Sequence, residues 1–112
     1  MSQPKPRQIW EVIYSDLTEQ EVLTRPVLVL TLPSSQQTVL VTPLLNRSAG
    51  DAKTIEIEQI HFSDSVPTSH CYINPSNIYP VVISLFVRQI AELKPEKYSV
   101  IIETISGLMQ SP

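Results

Sequence analysis

The chain has 112 residues, 42% of them apolar and 17% charged, which fits one domain with its own hydrophobic core and excludes disorder as its main state. Eight lysines and arginines against 11 aspartates and glutamates leave a formal charge of −3, so bulk charge argues against holding nucleic acid and any such role needs a local basic patch. Ten prolines against two glycines punctuate the apolar runs and exclude a long helix ahead of Pro95.

The lead-in MSQPKP and residues 110–112 are expected to be flexible, which leaves 7–109 as the single domain. From Gln8 to Tyr14 the β-branched and aromatic series Ile9, Trp10, Val12, Ile13, Tyr14 predicts a first strand. Residues 15–24, SDLTEQEVLT, form a polar, acidic loop that is long for a small domain, either a solvated connection or a functional segment. Residues 26–32, PVLVLTL, and 38–45, TVLVTPLL, are continuous apolar runs separated by PSSQQ, the pattern of two buried central strands and a short turn. Pro26 opens the first without costing a ladder bond, and Pro43 implies a bulge or an end in the second.

Residues 46–52, NRSAGDA, predict a loop, and KTIEIEQI follows with the cleanest period-two alternation in the chain. Its outward Glu56 and Glu58 suit an edge strand. After the polar HFSDSVPTSH, the segments CYIN and NIYPVV predict short strands broken at Pro75 and Pro80, and ISLFVRQIAEL one helical turn followed by a strand. Beyond Leu93 the period changes to 3.6: Pro95 and Glu96 suit a first helical turn, and Tyr98, Ile101, Ile102, Ile105, Leu108 and Met109 form one apolar stripe. The fold class is therefore mostly β, a small barrel-like sheet closed by a C-terminal amphipathic helix.

Several chemistries are absent from the sequence. Cys71 is the only cysteine, so there is neither an internal disulfide nor a thiolate cluster, and with His61 and His70 it lacks the spacing of a zinc site. No phosphate-binding glycine loop, His-Glu-x-x-His pair or Gly-x-Ser-x-Gly elbow occurs. No metal or cofactor is expected. No run approaches the roughly 20 apolar residues of a membrane span, and the start MSQPKPRQ has no signal-peptide core, so the expected compartment is the cytoplasm, away from membranes.

The order IWEV, loop, TRPVLVL, turn, TVLVTPL, alternating strand, CYINPSNIYPV, helix resembles the MazF/PemK family of toxins from bacterial toxin–antitoxin systems. There a G-D-I-W-x-V-like strand leads through a loop to an R-P-x-L-V-L strand and then to a strand ending in a P-L-T-like turn. The later family segment Q-I-R-x-V is approximated within Cys71 to Val81, and the resemblance spans about Arg7 to Met109. It implies an SH3-like barrel that forms a homodimer, cleaves single-stranded RNA without a metal, and is occluded by an antitoxin protein. In such chemistry the 2′-hydroxyl attacks the adjacent phosphate and leaves a cyclic phosphate and a 5′-hydroxyl.

The resemblance carries the family's site arginine onto Arg25, whose planar, permanently charged guanidinium suits two phosphate oxygens and a transition state gaining negative charge. The family threonine falls on Leu45, which moves no proton. Thr42, Asn46 or Ser48 are the nearby polar groups, with Thr42 and Asn46 expected beside Arg25 in catalysis. Arg47, Asn77 and Tyr79 are the expected RNA contacts, the last two standing where the family has the Gln and Arg of Gln-Ile-Arg. Tyr79 or Tyr14 are the candidate surfaces for an unstacked base. The family serine falls on Cys71, and the family glycine is missing near Arg7 and Gln8.

Three functions follow. The first is a toxin-like endoribonuclease acting on single-stranded RNA. The second is a catalytically decayed module of the same fold that binds or regulates a partner protein, favoured by Leu45. The third is a gyrase-directed toxin of the related CcdB type, for which the sequence offers no specific residues.

Overall fold

A computed structural model describes residues 3–14, 23–46, 54–63 and 70–110, the side chains of 70, 109 and 110 excepted. Of the sequence-based expectations, residues 15–22 of the acidic loop, most of the 46–52 loop, and Arg47 and Ser48 lie outside the described residues. The elements in chain order are β1 (Gln8–Tyr14), β2 (Leu23–Val29), β3 (Thr38–Leu45), β4 (Ile55–Glu58), a 3-10 turn (Gln59–His61), β5 (His70–Ile73), β6 (Tyr79–Val82), a 3-10 turn (Ile83–Leu85), β7 (Phe86–Glu92) and α1 (Pro95–Gln110).

Strands β1 and β3 have the bounds read from the sequence, and the turn before β7 is a single 3-10 turn, as its pattern implied. Strand β2 is displaced: it begins at Leu23 and ends at Val29 instead of running from Pro26 to Leu32. The reason is its partner. β2 pairs with β1 from Tyr14 opposite Leu23 to Ile9 opposite Leu28, so polar Thr24 and Arg25 are drawn into the ladder by β1 despite their low apolar content.

The seven strands form one curled antiparallel sheet in the order β4-β5-β3-β2-β1-β7, with β6 also on β3. Strand β4 is at an end of this order with Glu56 and Glu58 exposed. A bridge between Phe62 and Leu93, with Ser63 N–H donating to the Glu92 carbonyl at 2.7 Å, joins the chain after β4 to the end of β7 and gives the sheet its half-barrel curl.

Two cores result, one on each face. On the face covered by α1, Ile9, Leu28, Ile57, Phe62, Ile73 and Leu93 pack with Ile101 and Ile105 of the helix. Tyr98 fixes the helix further by donating its hydroxyl to the Leu30 carbonyl at 3.1 Å. The opposite face is a valine-rich cluster of Trp10, Val12, Val27, Val29, Val39, Val41 and Val81, covered by Ile83, Leu85 and Phe86. Trp10 meets Phe86 edge to face at 5.8 Å between ring centres, a favourable quadrupole arrangement. Among the described residues no helix is long and apolar enough to cross a membrane.

The lead-in is tied down earlier than Pro6: Pro4 is buried, and the Gln8 side-chain oxygen accepts both the Lys5 N–H at 2.9 Å and the Trp10 indole N–H at 2.8 Å. Arg7, where the family resemblance calls for glycine, has φ 79°, the left-handed conformation that glycine adopts without steric cost. It is held there by Arg7 N–H to the Val29 carbonyl (3.2 Å), Leu93 N–H to the Arg7 carbonyl (2.8 Å) and a 3.3 Å ion pair with Glu92.

Gln37 closes the β2–β3 turn at φ 63°, donating to the Ser34 carbonyl and accepting from Ile83 N–H, each at 2.9 Å. The left-handed conformation costs a side-chain-bearing residue about 1–2 kcal/mol, and glycine returns part of that gain as unfolded-state entropy. Gln37→Gly therefore stabilises by about 0.5–1 kcal/mol in denaturant titration, and Gln37→Val destabilises.

His61 caps the first 3-10 turn through its ring. Its Nδ1 accepts the Glu58 N–H at 2.9 Å in a reciprocal capping box around the first 3-10 turn, which requires the neutral ring. Burial, then the Lys97 charge, push its pKa below 6.5, with Lys94 adding to this and Glu58 and Glu56 opposing it. A depressed histidine pKa contributes stability that is present above about 6.5 and is lost as pH falls toward the folded-state value. The fall in thermal midpoint between pH 7 and 5 is accordingly smaller in His61→Ala than in the parent chain.

Candidate functional site

Both central prolines stand where strands part. Successive residues of a strand turn their backbone groups to opposite edges, and Leu30 N–H donates to the Leu40 carbonyl at 2.9 Å. Leu28 and Pro26 therefore face the β3 edge of β2. The β2–β3 ladder stops at Val27 opposite Pro43, so the donor that Pro26 lacks falls where β3 has already left.

By the same alternation Val39, Val41, Pro43 and Leu45 face the other edge of β3. There β6 pairs with Thr38 to Val41 and β5 with Leu44 and Leu45, so the donor missing from Pro43 falls between two partner strands. Pro43 is thus neither a strand end nor a bulge against β2: the strand continues, and it is the pairing that changes.

Arg25 lies just past the parting of β2 from β3. Side-chain alternation places it on the valine-rich face, two residues beyond Val27, and places Tyr14 there too, two residues beyond Val12. Because Val12 is opposite Arg25 and Tyr14 opposite Leu23, the two are diagonal neighbours within reach of long side chains. The Arg25 guanidinium carbon is 4.3 Å from the centre of the Tyr14 ring, a cation–π contact. Arg25 is half-buried and Tyr14 is 45% exposed.

The other described arginines are engaged differently. Arg88 Nε is 2.9 Å from Glu11 Oε2 and Arg88 NH2 3.3 Å from Oε1, which holds the Glu11 carboxyl below its ordinary pKa. Arg7 pairs with Glu92. Among the described residues no carboxylate pairs with Arg25.

The remaining predicted residues are distributed around this point. Thr42 is opposite Leu28, on the helix face rather than the Arg25 face. It has no exposed surface and donates its hydroxyl to the Asn74 carbonyl at 3.3 Å, bracing β3 against the β5–β6 connection at the point where its pairing changes. Asn46 is exposed immediately after β3. Asn77 is exposed in a turn closed by its N–H on the Asn74 carbonyl at 2.9 Å.

Tyr79, opposite Val41, shares the Arg25 face but is half-buried against the valine cluster. Four residues in register and two strands separate it from Arg25, roughly 17 Å by strand geometry, so only an extended ligand touches both. Leu45, by alternation, lies on the Arg25 face and is half-buried.

The other chemistry-bearing groups are removed from this point. Cys71 is buried and its thiol is pushed up to about 11 by burial, so at neutral pH it carries no nucleophilic thiolate. Among the described residues no three His, Cys, Asp or Glu side chains converge as metal ligands. An open depression of about 490 Å³ lies by Trp10, Phe86, Val87 and Arg88, away from Arg25. Sequence reasoning considered Tyr14 only as a base-stacking surface. Its contact with Arg25 is legible from the strand register, which the sequence does not print.

The brace predicts that Thr42→Val, which keeps the shape and removes the hydroxyl, lowers unfolding free energy by about 1 kcal/mol by removing one of the two hydrogen bonds that the Asn74 carbonyl accepts, the Asn77 N–H remaining on it. Chemical denaturation reads this directly.

No protein-family model matches the sequence, and no curated protein matches it. Solved structures do match. A chain of the MazE–MazF complex from Deinococcus radiodurans superposes with a TM-score of 0.79 at 14% identity over 100% of each chain. A mycobacterial endoribonuclease in complex with its cognate antitoxin gives 0.70 at 16% identity over 97% of each. The Mycobacterium tuberculosis toxin MazF-mt6 gives 0.69 at 18% identity, over 95% of this chain and 99% of that one. At such identities the likeness fixes architecture, and that architecture, a curled half-barrel with one C-terminal helix, is the MazF-like toxin fold.

Proposed function

We propose that this chain is an endoribonuclease toxin of a toxin–antitoxin pair that cleaves single-stranded RNA without a metal. The observation that carries the proposal is Arg25: a half-buried guanidinium at the parting of two strands, fixed on an aromatic ring, with no carboxylate on it among the described residues. Support for the reaction class comes from the fold. The similar chains include an endoribonuclease bound to its antitoxin and MazF from a MazE–MazF complex.

In the proposed reaction the 2′-oxygen forms a bond to the adjacent phosphorus as the bond to the 5′-oxygen breaks. The proton lost from the 2′-hydroxyl is balanced by one gained at the leaving 5′-oxygen, through solvent. Arg25 supplies in-plane N–H donors to the non-bridging oxygens as charge accumulates there. Asn46, exposed at the end of β3, and Arg47 beyond it contact the substrate beside Arg25. Asn77 and the reachable edge of Tyr79 contact it further along. Thr42 acts as a brace, being buried on the opposite face. An antitoxin protein covers the Arg25 face, and the active species is a homodimer in the cytoplasm.

A second reading has its own observation. Leu45 lies on the Arg25 face where the resemblance calls for threonine, and it supplies neither donor nor acceptor. In that reading the site binds without cutting, and the chain is a decayed module that engages a partner protein.

Incubation of purified, antitoxin-free protein with long RNA in the presence of chelator, followed by mapping of 5′ ends, separates the two. The nuclease reading expects cuts at a recurring short motif with 5′-hydroxyl ends, reduced roughly 100- to 1,000-fold in Arg25→Ala. Intact RNA after exposure to the folded protein rejects it in favour of the binding module.

A further inference from the structure

We propose that Tyr14 is the positioning residue for Arg25, a ring that aims the guanidinium while leaving its hydrogen-bond donors to the substrate. The proposal deepens the ribonuclease reading and rests on it for the identity of the anion. A guanidinium donates hydrogen bonds only around its rim. Its five N–H donors lie in the plane and its two flat faces carry none.

A carboxylate partner takes in-plane donors and cancels charge, as Glu11 does to Arg88 and Glu92 to Arg7. An aromatic partner takes a face, which leaves both the donors and the charge in place. Of the arginines described, Arg25 is the one set on a ring, at 4.3 Å.

The register explains why the ring is the partner. Among the described residues β2 has no β3 partner before Val27, so the strand paired beside Arg25 is β1, and Tyr14 is its diagonal neighbour at the end of that strand. With only one strand beside it, a long flexible side chain samples several rotamers, and the cost of ordering it falls on substrate binding. The Tyr14 ring removes that cost in advance. Its hydroxyl has no part in this, so phenylalanine serves equally and leucine, of similar apolar bulk, does not.

The test is a double-mutant cycle with a readout of the contact itself. Tyr14→Leu, Tyr14→Phe, Arg25→Ala and the Tyr14→Leu/Arg25→Ala double variant are compared in two ways. One is the RNA cleavage rate with chelator, and the other is affinity for a fluorescein-labelled 2′-O-methyl single-stranded oligonucleotide, which cannot be cut. Thermal midpoints establish that each variant folds.

In parallel, the Arg25 Nε–Hε NMR signal of the parent chain reports the ring directly through its upfield shift. Positioning predicts a loss of roughly tenfold in Tyr14→Leu, near-parental values in Tyr14→Phe, a double variant no worse than Arg25→Ala, and an upfield Arg25 signal that Tyr14→Leu abolishes. Additive losses overturn it by making Tyr14 an independent surface for a base, and a weak Tyr14→Phe overturns it by implicating the hydroxyl. An Arg25 signal unaffected by Tyr14→Leu overturns it whatever the RNA does. A ring-shifted signal in a chain whose cleavage and RNA affinity ignore Arg25→Ala instead removes the ribonuclease reading, and the role of Tyr14 with it.

Discussion

Strand β3 is asked to serve three partners at once, and the rest of the architecture depends on how it does so. It pairs with β2 along one edge, and along the other with β6 and then β5. A strand with continuous partners on both edges would make a flat central ladder. This one changes partners around Thr42 and Pro43, and the sheet curls and opens there.

Proline is tolerated in a sheet only where no donor is required, so Pro26 and Pro43 mark both partings chemically. Thr42 closes the gap behind them by donating to the Asn74 carbonyl. Arg25, next in sequence to Pro26, is carried to the rim of the opening as a consequence of backbone pairing.

Packing on the two faces fixes the strands on either side of this opening. Valine fills one face tightly enough to fix the positions of β1 and β2, and the helix seals the other through Ile101, Ile105 and the Tyr98 hydroxyl. Rigid strands hold a functional side chain more accurately than loops do. Arg25 and Tyr14 are both strand residues. In a chain of net charge −3 attraction for an anion must be local, and keeping carboxylates off one arginine while pairing two others is how the described surface makes it so.

Much of this was legible in the sequence because two signals were strong. The β-branched and aromatic runs from Gln8 and from Thr38 gave strands with the observed bounds, and the change of period after Leu93 gave α1. Strand β2 was misplaced because the residues up to Thr24 read as loop and Pro26 as the strand's start, the strand character of Leu23 to Arg25 being imposed by β1 across the ladder. The resemblance picked out Arg25, but Thr42 was grouped with it on proximity in sequence alone. Leu45 stands three positions after Thr42 in β3, an odd step that changes face, so the polar residue is buried behind the sheet and the leucine lies in front. Pro43 implies a bulge or a strand end from sequence alone because sequence shows a missing donor without showing which edge lacks a partner. The cation–π pair was invisible for a related reason, since it depends on register.

The central claim is that Arg25, seated on Tyr14, is the group that receives the RNA phosphate. A crystal structure of the chain with a short 2′-O-methyl single-stranded oligonucleotide tests it most directly. The account predicts a phosphate whose non-bridging oxygens lie within hydrogen-bond distance of the Arg25 guanidinium, with the Tyr14 ring still beneath it. An oligonucleotide bound elsewhere, with Arg25 turned away from every phosphate, would contradict it.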